Sequence, residues 1–305
     1  MADTALVYSD VGLKHRMPPG HPECADRLLA IASAFDKASL NPPRVEPVAA
    51  SREDVVRVHT EDHYETMRAT CEAEAWYPDP DISVVRESWD AALLAAGGAI
   101  EACKAVLESR FANVFSAMRP PGHHAEADRA MGFCLFNSVA IAARWMQAEA
   151  GVKRVAILDW YVHHGNGTQH SFYDDDTVYY ASLHQFPHYP GTGRADERGK
   201  NNTNLNIPMN AGTPAEKWIE AIRDRVIPEL ETFAPDFFLI SCGFDAHRDD
   251  PLGDQQLTAD DYATMTRMVK HLADGKVVSL LEGGYNLRAL GESAVAHVHA
   301  LAEDE

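Results

Sequence analysis

The sequence predicts an α/β fold, a single domain on an open, mostly parallel sheet flanked by helices on both faces. Three observations predict it. Short β-branched or apolar runs bounded by turns alternate with longer segments of helical spacing throughout the 305 residues, as βαβ crossovers require. No repeat, low-complexity tract or long Gly/Pro/Ser linker divides the chain, so one domain over 1–305 is expected. Polar, Gly- and His-rich segments follow directly on the strand-like runs, and open parallel sheets carry their sites at the carboxyl ends of strands.

In chain order, strands are expected at ALVYS (5–9), VFSAM (114–118), RVAILDW (154–160), TVYYASLH (177–184), FFLISC (237–242) and VVSLLE (277–282). Helices are expected at 22–37, 89–108, 137–150, 214–233, 258–274 and 287–302. After five of the strands come RPPGHHAEADRAMGF, HHGNGTQ, HQFPHYPGTG, GFDAHRDDP and GGYN. Five loops so rich in His, Asp and Tyr, all leaving one sheet edge, predict a catalytic or binding site there. Gly191-Thr192-Gly193 lacks the strand and helix context of a nucleotide loop and reads as a turn. Met265 and Met268 lie on a helical stripe and read as core.

With 27 basic and 46 acidic side chains the net charge is −19. That balance argues against nucleic-acid phosphates and anionic membrane surfaces as partners. It is compatible with a cationic ligand, and equally with an ordinary solvated acidic surface. Five scattered cysteines without CxxC spacing suit a reducing compartment. No secretory signal and no uninterrupted apolar stretch of about 18 residues is evident, so a cytoplasmic protein without a membrane span is expected.

In an extended chain Asp159, Tyr161 and His163 point to one side, and Trp160 and Val162 to the other, under a helix layer. Asp245 leaves a neighbouring strand end. An imidazole, one or two carboxylates and an open position make a catalytic zinc site plausible, although a lone strand-end His or Asp more often serves a structural hydrogen bond. His123 and His124, on a proline-set loop, can supply a general base and a second proton carrier, with Asp159 and Asn166 as orienting acceptors. Tyr285, after paired glycines, is either an oxyanion donor or an aromatic packed over a helix start, and spacing does not choose. Asp249 and Asp250 read as loop structure, with Arg248 as partner.

HPECADR (21–27), RPPGHHA (119–125), GFCLFNSVAIAA (132–143), LDW and VHHGNGTQ on either side of Tyr161 (158–169), SLHQFPHYPGTG (182–193), GFDAHRDDPLG (243–253) and EGGYN (282–286) resemble, in order, the bacterial and class II-type histone deacetylase and acetylpolyamine amidohydrolase family. The resemblance implies an arginase/deacetylase-type sheet and a zinc-dependent amide hydrolase. Position by position it implies zinc (Zn2+) at His163, Asp245 and residue 161. It gives His124 as the general base and acid, with His123 supporting it, Asp159 and Asn166 holding the two imidazoles, and Tyr285 as the transition-state tyrosine. It implies potassium (K+) at Asp159, Ser182 and the carbonyls of Tyr161, His163 and Leu183. Gly132, Phe133 and Tyr189 match an aromatic acyl-lysine tunnel, which suits the apolar stem of a lysine.

The family has aspartate where this chain has Tyr161. Three readings stay open: a substitution that disables zinc binding, a natural variant with altered or absent activity, or a tyrosinate–zinc site. The third is disfavoured because the ring carries its oxygen several ångströms beyond a carboxylate's reach, and a phenol of pKa ~10 is protonated at neutral pH. The expected function is removal of an acetyl-like group from a lysine side chain or related cationic amine, impaired by Tyr161. The alternatives are an acetylpolyamine amidohydrolase and a catalytically silent acyl-lysine binder. Leu252, in place of the acidic gatekeeper of some polyamine-selective relatives, tilts towards acyl-lysine; the net charge tilts back. The segment 71–86, with Glu72, Glu74, Trp76, Tyr77, Asp79 and Asp81, is either an acidic rim or, preferably, a solvated loop. Polyamine-type relatives narrow their sites by dimerising, so a homo-oligomer is kept as an expectation.

Overall fold

The protein is described by a computed structural model covering residues 4–75, 77 and 79–303. Its elements are β1 (Thr4–Val7), α1 (Val11–Lys14), α2 (Asp26–Lys37), β2 (Arg44–Val45), α3 (Arg52–Val56), α4 (Glu61–Ala73), α5 (Glu87–Leu107), β3 (Asn113–Ser116), α6 (Ser138–Glu149), β4 (Val155–Asp159), α7 (Asn166–Phe172), β5 (Val178–Gln185), β6 (Asn204–Met209), α8 (Ala215–Ala221), α9 (Ile227–Phe233), β7 (Phe237–Cys242), α10 (Ala259–Val269), β8 (Val277–Leu281) and α11 (Leu287–Ala302). The strands form one eight-stranded sheet in the order β2-β1-β3-β8-β7-β4-β5-β6. Every pairing is parallel, as crossover helices between successive strands allow.

Strand alternation sets the two cores. Val155 and Ile157 of β4 face one side with α5, α6 and Phe172 of α7. Ala156 and Leu158 face the other with α2, α8, α10 and α11, and Trp160 and Val162 continue that row into the same core, as expected. Met265 is buried there and Met268 packs against it.

The sequence reading omits β2 and β6. NLNIPM of β6 is polar and carries Pro208, whose missing N–H an edge strand tolerates. The short or polar helices α1, α3, α4 and α7 are likewise absent from the sequence reading. Two of them are set by side-chain caps, Ser51 with Asp54 at α3 and Thr60 at α4. The helix expected over 214–233 is interrupted by a π-turn at Ile222–Val226, just before Pro228. Proline cannot donate and its ring crowds the carbonyl four residues back, which a widened turn relieves. The helix expected over 258–274 ends at Val269; Ala273 and Asp274 are left-handed in the turn that follows.

A buried ionic cluster fastens the carboxyl edge. Arg119, at the end of the β3 strand run, donates to Glu23 at 2.6 Å and to the Gly12 carbonyl at 2.7 Å. Arg27 donates to Glu23 at 3.1 Å, to the Gly284 carbonyl at 2.8 Å and to the Glu282 carbonyl at 2.5 Å. All three charged side chains are fully buried. Burial alone would raise the Glu23 carboxyl; the two guanidiniums outweigh it and hold it at about 2.

Two outcomes follow. Gly97 of α5 crosses the segment 48–50 so closely that a Cβ would lie 1.7 Å from the Val48 carbonyl oxygen. Gly→Ala in a helix interior ordinarily gains up to ~1 kcal/mol; here we expect Gly97→Ala to destabilise by about 1–3 kcal/mol in denaturant unfolding, the usual range for overpacking. Glu23→Gln strands two buried guanidiniums and should cost about 3–5 kcal/mol at neutral pH. Because the folded carboxyl sits below its ordinary 4.5, its contribution is present above that value and lost as pH falls towards 2. The gap between wild type and variant, read from unfolding curves, should therefore shrink over that acid window.

Candidate active site

The five chemistry-bearing loops leave β3, β8, β7, β4 and β5, which are consecutive neighbours in the sheet. Parallel pairing places all five on one edge, so the residues expected to meet do meet. Asp159, the last residue of β4, stands in register with Ser182 of β5 and Ser241 of β7. His123 Nδ1 lies 2.8 Å from Asp159 Oδ2, and His124 Nδ1 lies 2.8 Å from Asn166 Oδ1. The two imidazole centroids are 4.0 Å apart. Burial, then the neighbouring imidazoles, hold both rings well below the ordinary histidine value; they are neutral bases at pH 7. His123 Nε2 is buried with no hydrogen-bond partner among the described residues.

The loop under these rings is held by Glu282, whose Oε2 accepts the Gly122 N–H at 2.7 Å and the His123 N–H at 3.3 Å. Burial pushes Glu282 and Asp159 up to about 8 each, against the hydrogen bonds that each accepts. Tyr285 is fixed from its backbone: its N–H donates to Asp250 Oδ2 at 2.6 Å, and the Arg27 guanidinium lies 5.0 Å from its ring centroid. Asp250 is thus more than loop structure, and Asp249 pairs with Arg288 at 2.7 Å rather than with Arg248. Arg288 opens α11, which brings it above the 249–250 turn, whereas Arg248 is set in that turn's backbone through its N–H to the Leu257 carbonyl.

A narrow cleft of about 70 Å³ reaches this cluster, lined by Asp81, Gly132, Phe133, Tyr189 and Leu252, with His124, Tyr161 and His163 at its floor. Gly132 is left-handed, and a Cβ there would meet His124 Cδ2 at 2.5 Å; glycine lets the wall close onto the imidazole. Phe133 meets Tyr285 edge-on at 5.9 Å, and Tyr189 meets His124 at 5.2 Å. The Asp81 carboxyl is raised by burial and by Asp79. The preferred reading of 71–86 as a solvated loop is corrected: Asp81 lines the cleft mouth, and Tyr77 is buried, its hydroxyl accepting the Ala130 N–H at 2.9 Å. Trp76 lies outside the described residues.

The three positions matched to zinc do not form a metal site. His163 Nδ1 and Asp245 Oδ2 face each other directly at 2.9 Å. Tyr161 sends its ring against the backbones of Gly243 and Gly283, where a Cβ would lie 2.3 Å and 2.0 Å from the ring carbons. Its hydroxyl makes a short hydrogen bond to the Tyr285 hydroxyl. Burial raises both phenols well above 10, which disfavours the phenolate form. Among the described residues no three His, Cys, Asp or Glu side chains are grouped to hold a metal. A catalytic zinc needs three protein ligands, and only two remain. The potassium positions are different in kind. Asp159 and Ser182 are buried side by side, with Leu183 next along β5, and the Tyr161 and His163 carbonyls accept no hydrogen bond among the described residues.

Sequence reasoning did not assign roles to Glu23, Arg27, Arg119, Glu282, Asp250 or Tyr180, whose hydroxyl donates to Asp159 Oδ2 at 3.0 Å. The only signal was a set of charged residues inside otherwise apolar or glycine-rich runs, such as HPECADR and EGGYN. No described helix is long and apolar enough to cross a membrane, and the cysteines are free.

Comparison with known proteins points the same way as the geometry. Residues 21–301 match the histone deacetylase domain model. An uncharacterized protein of Synechocystis sp. is 41% identical over 296 residues, covering 95% of this chain and 97% of that protein. Histone deacetylase 15 of Arabidopsis thaliana is 43% identical across 97% of this chain but only 55% of its own length. A probable deacetylase of Archaeoglobus fulgidus is 40% identical over 93% of this chain and 82% of its own. The crystal structure of the HDA15 HD domain superposes with a TM-score of 0.95 at 39% identity, covering 99% of this chain and 88% of that one. The chain belongs to the histone deacetylase family.

Proposed function

We propose that this chain is a deacetylase scaffold that takes the acylated amine of a lysine side chain, or of a related cationic amine, and whose hydrolytic step is impaired at Tyr161. The carrying observation is the meeting of two oriented imidazoles, a backbone-anchored phenol and an aromatic slot in one cleft. Phe133 and Tyr189 suit an apolar alkyl stem and exclude water. Asp81 at the mouth favours a cationic carrier such as a lysine-bearing peptide or a polyamine.

With Nδ1 turned to Asn166, His124 presents Nε2 as the proton acceptor and later donor, and His123 is held in the same sense by Asp159. Tyr285 is a protonated donor suited to a developing oxyanion, but its hydroxyl is engaged by Tyr161. Zinc would supply carbonyl polarisation and an activated water in this family's chemistry; His163 and Asp245 alone do not fit it. Potassium fits better: the Asp159 and Ser182 side chains, which stand in register, and the carbonyls of Tyr161, His163 and Leu183 are hard oxygen donors. A binder without efficient turnover is the second reading, favoured by the Tyr161–Tyr285 contact.

The test is Tyr161→Asp against Tyr161→Phe. We expect the unchanged chain and the Phe variant to purify with far less than one zinc per chain. The Asp variant should approach one and raise turnover of an acetyl-lysine peptide at least ~100-fold, since loss of an outer partner to a metal ligand alone costs up to that. Stoichiometric zinc and turnover in the unchanged chain, or no response to Asp, contradicts the proposal. Acetylputrescine run beside the peptide reads the carrier preference.

A further inference from the structure

Asn166, the neutral partner of His124, is itself held by a charged residue. Asn166 accepts at His124 through Oδ1 and donates from Nδ2 to Glu126 Oε1 at 2.7 Å. Its other Nδ2 contacts are longer, 3.3 Å to the His124 carbonyl and 3.3 Å to the Met131 sulfur. Glu126 is only 16% exposed at its side chain and stands where a broad open groove reaches the outer side of Asn166. Its carboxylate also meets the exposed Arg129 at 2.9 Å and the exposed His170 at 3.5 Å.

An asparagine amide has two ends of similar shape and opposite hydrogen-bonding character. With Oδ1 towards His124, the imidazole must carry its proton on Nδ1 and leave the Nε2 lone pair facing the cleft. Turned over, Nδ2 would face His124 and force the opposite tautomer, while Oδ1 would lie against the Glu126 carboxylate, acceptor against acceptor. A buried acceptor pair of that kind is costly. We propose that Glu126 is a positioning residue that fixes the His124 tautomer through Asn166, by serving as the acceptor for its Nδ2. Arg129 and His170 meet the carboxylate from outside and are not needed for that role.

The catalytic consequence rests on the reading of His124 given under Proposed function; the tautomer does not. The first measurement is therefore made on the chain as it stands, labelled with 15N-histidine, reading the ring-nitrogen shifts of His124. We expect an Nδ1–H form in the wild type, a loss of that form or a mixture in Glu126→Ala, and recovery in Glu126→Gln, whose side-chain oxygen can still accept from Asn166. Arg129→Ala, which removes the outer ion pair, should leave the shifts unchanged. A Glu126→Ala protein that is folded by circular dichroism and keeps the wild-type His124 shifts overturns the proposal, as does an Arg129→Ala protein that loses them. In the zinc-loaded Tyr161→Asp background, Glu126→Ala should lower kcat by about 10–100-fold with KM little changed, the usual scale for outer partners. A fall in KM affinity alone counts against the proposal. A Tyr161→Asp protein that stays inactive bears on the reading of residue 161 and leaves the tautomer result to stand by itself.

Discussion

The register of β4 between β5 and β7 is the constraint on which the site depends. Asp159 pairs with Ser182 on one side and Ser241 on the other, and the alternation of the extended chain carries that facing on to Tyr161 and His163. A slip of one residue would exchange this row for Leu158, Trp160 and Val162, three side chains fully buried in the core beneath α10 and α11. Core packing on that face therefore enforces the facing of the polar row, and stability and site geometry share a cause. The same register sets Glu282, just past β8, beneath the Gly122–His123 backbone.

Burial governs the chemistry of what is brought together. The imidazoles are driven towards their neutral forms, the phenols towards their protonated forms, and Asp159 and Glu282 upward. Such a pocket offers bases and neutral donors, and holds charge only where partners are arranged. Glu23 with its two arginines shows how a charge is retained: direct ion pairs outweigh desolvation. Asn166 with Glu126 illustrates another arrangement, in which the carboxylate stays at the wetter boundary and acts on the buried imidazole through a neutral amide. A carboxylate placed directly against His124 would carry the full desolvation penalty.

Much of this was legible in the sequence. VFSAM, RVAILDW, TVYYASLH, FFLISC and VVSLLE are apolar runs buried on both faces, and such runs announce central parallel strands. Edge strands do not announce themselves: Arg44–Val45 is two residues long and Asn204–Met209 mixes polar residues with proline. The side chains at the cleft floor could be named because they cluster in loops after strands. The residues that hold those loops could not, because a buried Glu23 or Asp250 owes its role to distant groups, Arg119 at 96 and Tyr285 at 35 residues' separation, and the arginines reach further still, Arg119 to Gly12 and Arg27 to Gly284. Sequence spacing carries no record of such pairs. The acidic rim is hard to read for a related reason: composition alone does not tell an exposed loop from one that folds back, and here Tyr77 reaches Ala130 and Asp81 lines the cleft.

Position 161 is where local consistency and function part. The phenol is not forced into the fold: its ring lies flat against glycine backbone at the ends of β7 and β8, and its hydroxyl has a partner. A buried polar group with its hydrogen bond made costs little. The penalty falls instead on neighbours with a different task. The Tyr285 hydroxyl is engaged by Tyr161, and His163 and Asp245 face each other directly. A fold whose core and ionic fastenings lie outside the cleft can absorb such a residue whole. On the proposed reading, Gly132, Phe133 and Tyr189 keep their places along the cleft while its floor carries a phenol at position 161, so that binding and turnover would be separable in this chain.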